Sequence, residues 1–177
     1  SGRIMSEVTE SDLFTEQVLK SSGLDYTILY HPPFADLLSA YYGPNPYENG
    51  INVPANNGKM VPATRDELAE AHAEILSTSG HENKTYSLGG SHTISFSEIA
   101  KILSGLKGQS VSFNTITAEE YMDGIVGQGI PRHVAEFITG WVVAIEGGEF
   151  EHQSGDLERL LGRKTKTFKE LMEPTLV

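Results

Sequence analysis

The sequence predicts an α/β protein with a partly parallel sheet, and three observations support this fold class. Short runs of β-branched and aromatic residues alternate with amphipathic helical segments, as in βαβ units. Four of the helical segments begin with Ser or Thr followed three residues later by Glu, a spacing that caps helix N-termini. Only two or three runs look like central strands, so we expect either part of a larger sheet or a helix-rich lobe.

The first 46 residues predict a helix, a strand and a short second helix. The first helix covers about residues 10–21 and ends before Gly23. This helix is amphipathic, and its apolar face consists of Leu13, Phe14, Val18 and Leu19. The run 25–30 predicts a buried strand that ends at His31-Pro32-Pro33, and 34–42 predicts a short helix that ends before residues 43–46.

A hairpin is predicted next, because the runs 51–54 and 59–62 flank an Asn-Gly turn at Asn57 and Gly58. Each run contains a proline, which indicates edge strands.

Two more strands and the remaining helices follow. The runs 84–88 and 111–116 predict strands. Helices are predicted after the caps Thr64, Ser95, Thr117 and Thr167, from Pro131 to about residue 145, and over 156–161. The side chains expected to face the core from two of these helices are Leu68, Ala71, Ile75 and Leu76, and Val134, Phe137, Ile138, Trp141 and Val142.

Composition excludes several classes of partner and site. The 13 Lys and Arg residues against 24 Asp and Glu give a net charge of -11, which disfavours nucleic acid and anionic membranes. The absence of cysteine excludes disulfides and thiolate chemistry. No apolar run approaches the roughly 20 residues of a membrane span, and we expect a soluble, cytoplasmic protein.

Several common functional motifs are absent from the chain. No Gly-x-Gly-x-x-Gly follows a predicted strand, and the glycines at 124, 127 and 129 fit a loop between helices better than a phosphate cradle. The chain has no Gly-x-Ser-x-Gly, no His-Glu-x-x-His and no Tyr-x-x-x-Lys. Its six histidines are dispersed, so we expect no metal site and a solvated or half-buried His72.

His31 has the best position for function, because it follows a predicted strand and open α/β sheets bind ligands beyond the strand ends. Pro32 and Pro33 would hold the loop rigid, Phe34 would provide an aromatic wall, and a neutral imidazole could hydrogen-bond a carbonyl or a cofactor amide. In the structural alternative, His31 only ends a strand and Phe34 fills the core.

Three segments resemble a known family. Residues 15–29 read TEQVLKSSGLDYTIL, residues 57–69 contain NGK and ATRDELA, and residues 84–100 contain KTYSL and TISFSEIA. Their order and spacing resemble NmrA-like atypical short-chain dehydrogenases/reductases of the quinone-oxidoreductase branch. The resemblance implies the later part of a Rossmann-like, partly parallel sheet (about residues 1–45 and 63–90). A smaller C-terminal α+β lobe on the substrate side would comprise about residues 46–62 and 91–177, and the N-terminal dinucleotide motif is absent.

The resemblance also implies a function. The complete protein would use NADP or NAD to reduce a quinone-like or carbonyl small molecule by hydride transfer. Cofactor or substrate would bind at Tyr30, His31, Pro32, Pro33 and Phe34, where Tyr30 replaces the arginine of many relatives. Alternatives are a non-catalytic NAD(P)-sensing regulator and an inactive truncated domain that persists as a homo-oligomer. A cavity beside His31 and Phe34 would favour the enzyme over the sensor.

Overall fold

The computed structural model describes residues 7–176 and contains three pairs of strands within a mainly helical chain. Strand β1 (Thr27–Tyr30) pairs in parallel with β4 (Lys84–Ser87), with Tyr30 opposite Ser87. Strand β2 (Ile51–Val53) pairs in parallel with β6 (Phe113–Thr115). Strand β3 (Lys59–Met60) pairs in antiparallel fashion with β5 (Ile94–Ser95). These pairings confirm the α/β class with a partly parallel sheet.

Nine α-helices lie within the described residues 7–176. They are α1 (Glu7–Ser21), α2 (Ser39–Tyr42), α3 (Pro46–Asn49), α4 (Arg65–Ser77), α5 (Phe96–Lys107), α6 (Ala118–Gly127), α7 (Arg132–Glu146), α8 (Asp156–Leu161) and α9 (Phe168–Met172). Short 3-10 turns cover Ala35–Leu37 and Glu173–Leu176. Helices α4, α5, α6 and α9 each begin with a complete capping box, so all four predicted caps are confirmed.

The buried apolar side chains form two clusters. The larger cluster surrounds β2 and α5 and includes Ile51, Val53, Phe96 and Ile99, each at most 1% exposed. The smaller cluster lies between α4, α8 and the β1–β4 pair. Its buried members are Ala63, Leu68, Ala71, Ile75, Tyr86, Leu88 and Leu157. The loop that follows β1 therefore begins at the smaller cluster.

The predicted hairpin at 51–62 is wrong. Strands β2 and β3 pair with β6 and β5 instead of with each other. The intervening Asn-Gly segment is held by α7, because the amides of Asn56, Asn57 and Gly58 donate to one Glu146 carboxylate oxygen at 2.8, 3.2 and 2.8 Å. The turn residues thus bind a side chain about 90 residues away in the chain, and such a contact cannot be recognised from the local sequence.

Two expected core positions, Leu76 and Phe137, are also wrong. On α1, Leu13, Phe14 and Val18 are 38%, 68% and 51% exposed, so this apolar face is not buried within the described residues. Leu76 and Phe137 are likewise exposed, while Ala135, Thr139 and Ile145 form the buried face of α7. This face of α7 packs against α2 and α6.

Candidate active site beyond strand β1

The loop that follows β1 lies at the carboxyl end of the parallel β1–β4 pair. The Leu88 amide donates to the Tyr30 carbonyl at 2.8 Å, which continues the pairing one residue beyond β4. Pro32 and Pro33 are buried, and Phe34 forms a parallel bridge with Ala63. The loop therefore runs from the end of β1 to the segment before α4.

His31 meets His72 of α4 at this position. Their Nε2 atoms are 2.8 Å apart and the ring centroids are 5.0 Å apart, so one ring donates a hydrogen bond to the other. The Phe34 ring lies edge-on to His31, with centroids 6.4 Å apart. Burial lowers the pKa of His31, and nearby His72 lowers it further. The lowered pKa favours the neutral imidazole of His31 at neutral pH, and the contact with His72 orients its ring.

The Tyr30 side chain is bound by α1. Its hydroxyl donates to Glu16 at 2.5 Å, and Lys20 also hydrogen-bonds this carboxylate. Partial burial raises the pKa of Tyr30 to about 12, with a further contribution from Glu16. The hydrogen bond from Lys20, followed by that from Tyr30, lowers the pKa of Glu16. The structure thus brings His31, Phe34 and His72 together and places the Tyr30 hydroxyl against a separate carboxylate.

Sequence reasoning missed His72, which was expected to be merely solvated or half-buried. It is half-buried, but its ring contacts the best candidate residue of the site. One local signal was present: His72 is four residues after buried Leu68 and three before buried Ile75, so it lies on the flank of the inward face of α4. Pairing it with His31 required the tertiary fold.

A cavity of about 490 Å³ lies beside His72, and neither His31 nor Phe34 lines it. It is lined by Thr27 and Leu29 of β1 and by His72, Ile75 and Leu76 of α4. Three of the five side chains are aliphatic and one is an imidazole. The cavity is therefore suited to a mostly apolar ligand that also offers a hydrogen-bonding group.

The loop fits the ring end of a dinucleotide better than its pyrophosphate. Proline has no N–H, so Pro32 and Pro33 cannot donate to phosphate oxygens, and the Ala35 amide already donates to the Ala63 carbonyl at 2.8 Å. Phe34 and the neutral His31 ring could instead contact a nicotinamide ring and its amide.

Residues 7–176 contain neither a membrane-spanning helix nor a cluster of metal-ligating side chains. No helix in that range is long and apolar enough to cross a bilayer. No three His, Asp or Glu side chains in the same range are grouped so that they could hold a metal ion.

Comparison with known proteins identifies a consistent group of reductases, although no family model matches the chain. The sequence is 28% identical to quinone oxidoreductase 2 of Escherichia coli over 166 residues, which cover 92% of this chain and 57% of that protein. It is 24% identical over 159 residues to the NmrA-like family domain-containing oxidoreductase flvB of Aspergillus flavus, covering 88% of this chain and 52% of that protein.

The solved structures agree with these relatives. An NADPH-dependent quinone oxidoreductase from Escherichia coli superposes with a TM-score of 0.90 at 26% identity, over 97% of this chain and 62% of that chain. The triphenylmethane reductase of Citrobacter sp., solved with NADP(H), superposes with a TM-score of 0.84 at 32% identity, over 93% of this chain and 58% of that chain. The chain spans little more than half the length of these proteins. These relatives and superposed structures agree with the resemblance of the sequence to the NmrA-like branch of the atypical short-chain dehydrogenases/reductases.

Proposed function

We propose that this chain is the substrate-side part of an NAD(P)H-dependent oxidoreductase that reduces quinone-like or carbonyl compounds by hydride transfer. The observation that carries the proposal is the superposition with a TM-score of 0.90 on an NADPH-dependent quinone oxidoreductase, over nearly the whole chain. The cofactor is NADP or NAD, and the second relative solved with NADP(H) supports the same class.

The proposal divides the chain into two parts. Residues of about 1–45 and 63–90 belong to the Rossmann-like part, and about 46–62 and 91–177 form the substrate-side lobe. The two apolar clusters support this division for β1, β4 and α4 on one side and β2 and α5 on the other, whereas Leu38 and Tyr42 of the first range lie in the larger cluster. Helix α8 joins the smaller cluster through Leu157 and so ties the lobe to the Rossmann-like part.

The loop from Tyr30 to Phe34 binds and orients the reactants. NAD(P)H, when bound, supplies the hydride. Phe34 offers an aromatic wall, while Pro32 and Pro33 fix the backbone and hold that wall in place. The neutral His31 imidazole hydrogen-bonds the oxygen of the acceptor or the cofactor amide, and His72 fixes its orientation.

Tyr30 contributes to the same loop through its backbone and its anchor on α1. Its carbonyl accepts from Leu88 and its hydroxyl donates to Glu16, so β4 and α1 both restrain the residue before His31. A phenol at this position provides no positive charge, and the site therefore favours an acceptor without an anionic group here.

The cavity of about 490 Å³ is joined to the candidate site through His72 and is lined by neither His31 nor Phe34, so it supports an enzyme over a sensor less directly than a cavity beside those two residues would. A sensor needs only a cofactor site and an exposed partner surface, whereas a reductase also needs room for the acceptor. The cavity of about 490 Å³ is large enough for a one- or two-ring quinone, and its aliphatic side chains match a flat apolar ring.

Titration of NADPH against the protein that naturally carries this chain, followed by the change in nicotinamide fluorescence, tests the cofactor assignment. We expect binding in the micromolar range, weakened several-fold by Phe34→Ala and unchanged by His133→Gln, which alters an exposed histidine on α7. Absence of NADPH and NADH binding would contradict the proposal. If both substitutions weakened binding equally, the loop would not be part of the binding site.

A further inference from the structure

A second cavity, of about 330 Å³, lies between α2, α3, α5 and α9. Ser39, Tyr42, Tyr47, Leu103 and Lys107 are among its lining residues, and no residue of the loop from Tyr30 to Phe34 lines it. The cavity is therefore separate from the site beyond β1. Its volume is at the lower end of the range for small-molecule sites, which suits a ligand of one or two rings.

Tyr42 brings an unused hydrogen-bonding group to this cavity. Its side chain is only 8% exposed, yet its hydroxyl makes no hydrogen bond with any residue in the range 7–176. No side-chain nitrogen or oxygen in that range is fully buried without a partner, so this hydroxyl must still reach solvent. Because Tyr42 lines the cavity, the cavity is its route to solvent or to a ligand.

The protonation state of Tyr42 makes it a hydrogen-bond donor. Burial raises its pKa to about 12, and the neighbouring Tyr47 contributes to the shift. The phenol therefore stays neutral at every physiological pH and can donate its proton to an oxygen of a ligand.

Lys107 and Tyr47 form the charged and aromatic side of the cavity. The Lys107 ammonium lies 4.4 Å from the centroid of the Tyr47 ring. Tyr47 is fixed in turn, because its hydroxyl donates to the Leu103 carbonyl at 3.0 Å and its own carbonyl accepts from Gln109 at 3.1 Å. Within residues 7–176 no carboxylate forms an ion pair with Lys107, so its charge is available to an anion.

Glu48 also lines the cavity and limits the charge of the ligand. One carboxylate and one ammonium leave the lining neutral overall, which favours a monoanion over a doubly charged phosphate. The apolar remainder of the lining, Leu103 and Pro46 among it, favours a flat ring over a hydrated polyol.

We propose that this cavity binds a small aromatic carboxylate, with its carboxylate facing Lys107, its ring against Tyr47 and Leu103, and the Tyr42 hydroxyl donating to one of its oxygens. The site is independent of the proposed reductase activity. It gives the protein a means of responding to an aromatic acid at a place distinct from the β1 loop.

Fluorine NMR with 2-fluorobenzoate as the probe tests this site. The line width and shift of the probe are followed while its concentration is raised to about 5 mM, and the neutral 2-fluorobenzamide is the matched probe of the same shape. Tyr42→Phe removes only the hydroxyl, and Lys107→Met removes the charge while keeping an unbranched stem. Lys101→Met, on an exposed position of the same helix, is the matched control.

We expect the benzoate to bind with a dissociation constant in the millimolar range or tighter, and the benzamide to bind several-fold more weakly. Lys107→Met and Tyr42→Phe should each weaken benzoate binding by about three- to tenfold. Lys101→Met should leave it unchanged. The proposal is overturned if wild-type protein does not bind benzoate, if benzamide binds equally well, or if Lys101→Met matches the loss at Lys107.

Discussion

Replacing Glu146 by alanine tests how the segment between β2 and β3 is held. One oxygen of the Glu146 carboxylate accepts from three consecutive amides, those of Asn56, Asn57 and Gly58, at distances of 2.8–3.2 Å. The substitution leaves these three N–H groups without their acceptor and detaches the segment from the end of α7. The local hydrogen bonding of two elements far apart in the chain therefore depends on one side chain.

Two effects of opposite sign set the magnitude of the change. Glu146 is exposed, so water can replace it, and each lost hydrogen bond is worth only about 0.5 kcal/mol, or about 1.5 kcal/mol in total. In the opposite direction, a carboxylate in the last turn of α7 interacts unfavourably with the helix dipole, so its removal raises the free energy of unfolding by about 0.5 kcal/mol. We expect Glu146→Ala to lower the free energy of unfolding by about 1 kcal/mol.

Urea denaturation followed by circular dichroism measures this loss. For a slope of about 2 kcal/mol per molar urea, the midpoint should fall by about 0.5 M, and the melting temperature should fall by about 2–4 °C. Glu146→Gln keeps a neutral acceptor and also relieves the dipole, so its loss should be less than half as large. If Glu146→Ala is as stable as wild type or more stable, the three amides do not depend on this carboxylate.

Four further predictions concern two glycines, His31 and the exposed face of α1. Gly58→Ala should lower the free energy of unfolding by about 2–3 kcal/mol, because the new Cβ would lie 2.4 Å from the Cα of Glu146. Gly124 lies in α6 with open space around it, so Gly124→Ala should raise the free energy of unfolding by about 0.5–1 kcal/mol. A urea midpoint that is higher for Gly58→Ala than for Gly124→Ala would refute both predictions. The pKa of His31 is lowered in the folded state, so the unfolded chain binds more protons near pH 6 and stability falls as the pH drops through about 6.5. His31→Gln should reduce this loss between pH 7.5 and 5.5, and an unchanged pH dependence of the melting temperature would contradict the shift. Phe14→Ser should change the stability of this chain by less than about 0.5 kcal/mol, since Phe14 is 68% exposed, and a loss above about 1.5 kcal/mol would show that its ring is buried.

Local signals in the sequence predicted the helices well. A capping box involves residues three apart, so the starts of α4, α5, α6 and α9 could be recognised from Thr64, Ser95, Thr117 and Thr167 alone. The run that forms β1 was equally recognisable from its β-branched and aromatic residues. These are the parts of the fold that neighbouring residues determine.

Long-range partners decided where the predictions failed. The Asn57-Gly58 segment has a sequence typical of a hairpin turn. Its amides instead donate hydrogen bonds to Glu146, and β2 pairs with β6. The apolar face of α1 is a correct helical pattern, yet no described element covers it. An amphipathic pattern shows which side of a helix is apolar and does not show what packs there.

The same distinction between local and long-range signals applies to the candidate site. His31 and Phe34 were predicted because their place after a strand is visible in the sequence. His72 was not, because its contact with His31 spans 41 residues and depends on the angle at which α4 packs on the sheet. The assignment of residues 30–34 to the binding of cofactor or substrate stays a prediction.

Steady-state oxidation of NADPH in the presence of quinones tests the central claim most directly, using the protein that naturally carries this chain. We predict quinone-dependent oxidation whose kcat/KM falls about tenfold in His31→Gln and Phe34→Ala and is unchanged in His133→Gln. A protein that binds NADPH but transfers hydride to no quinone or carbonyl acceptor would contradict the account and would identify the chain as part of a dinucleotide sensor.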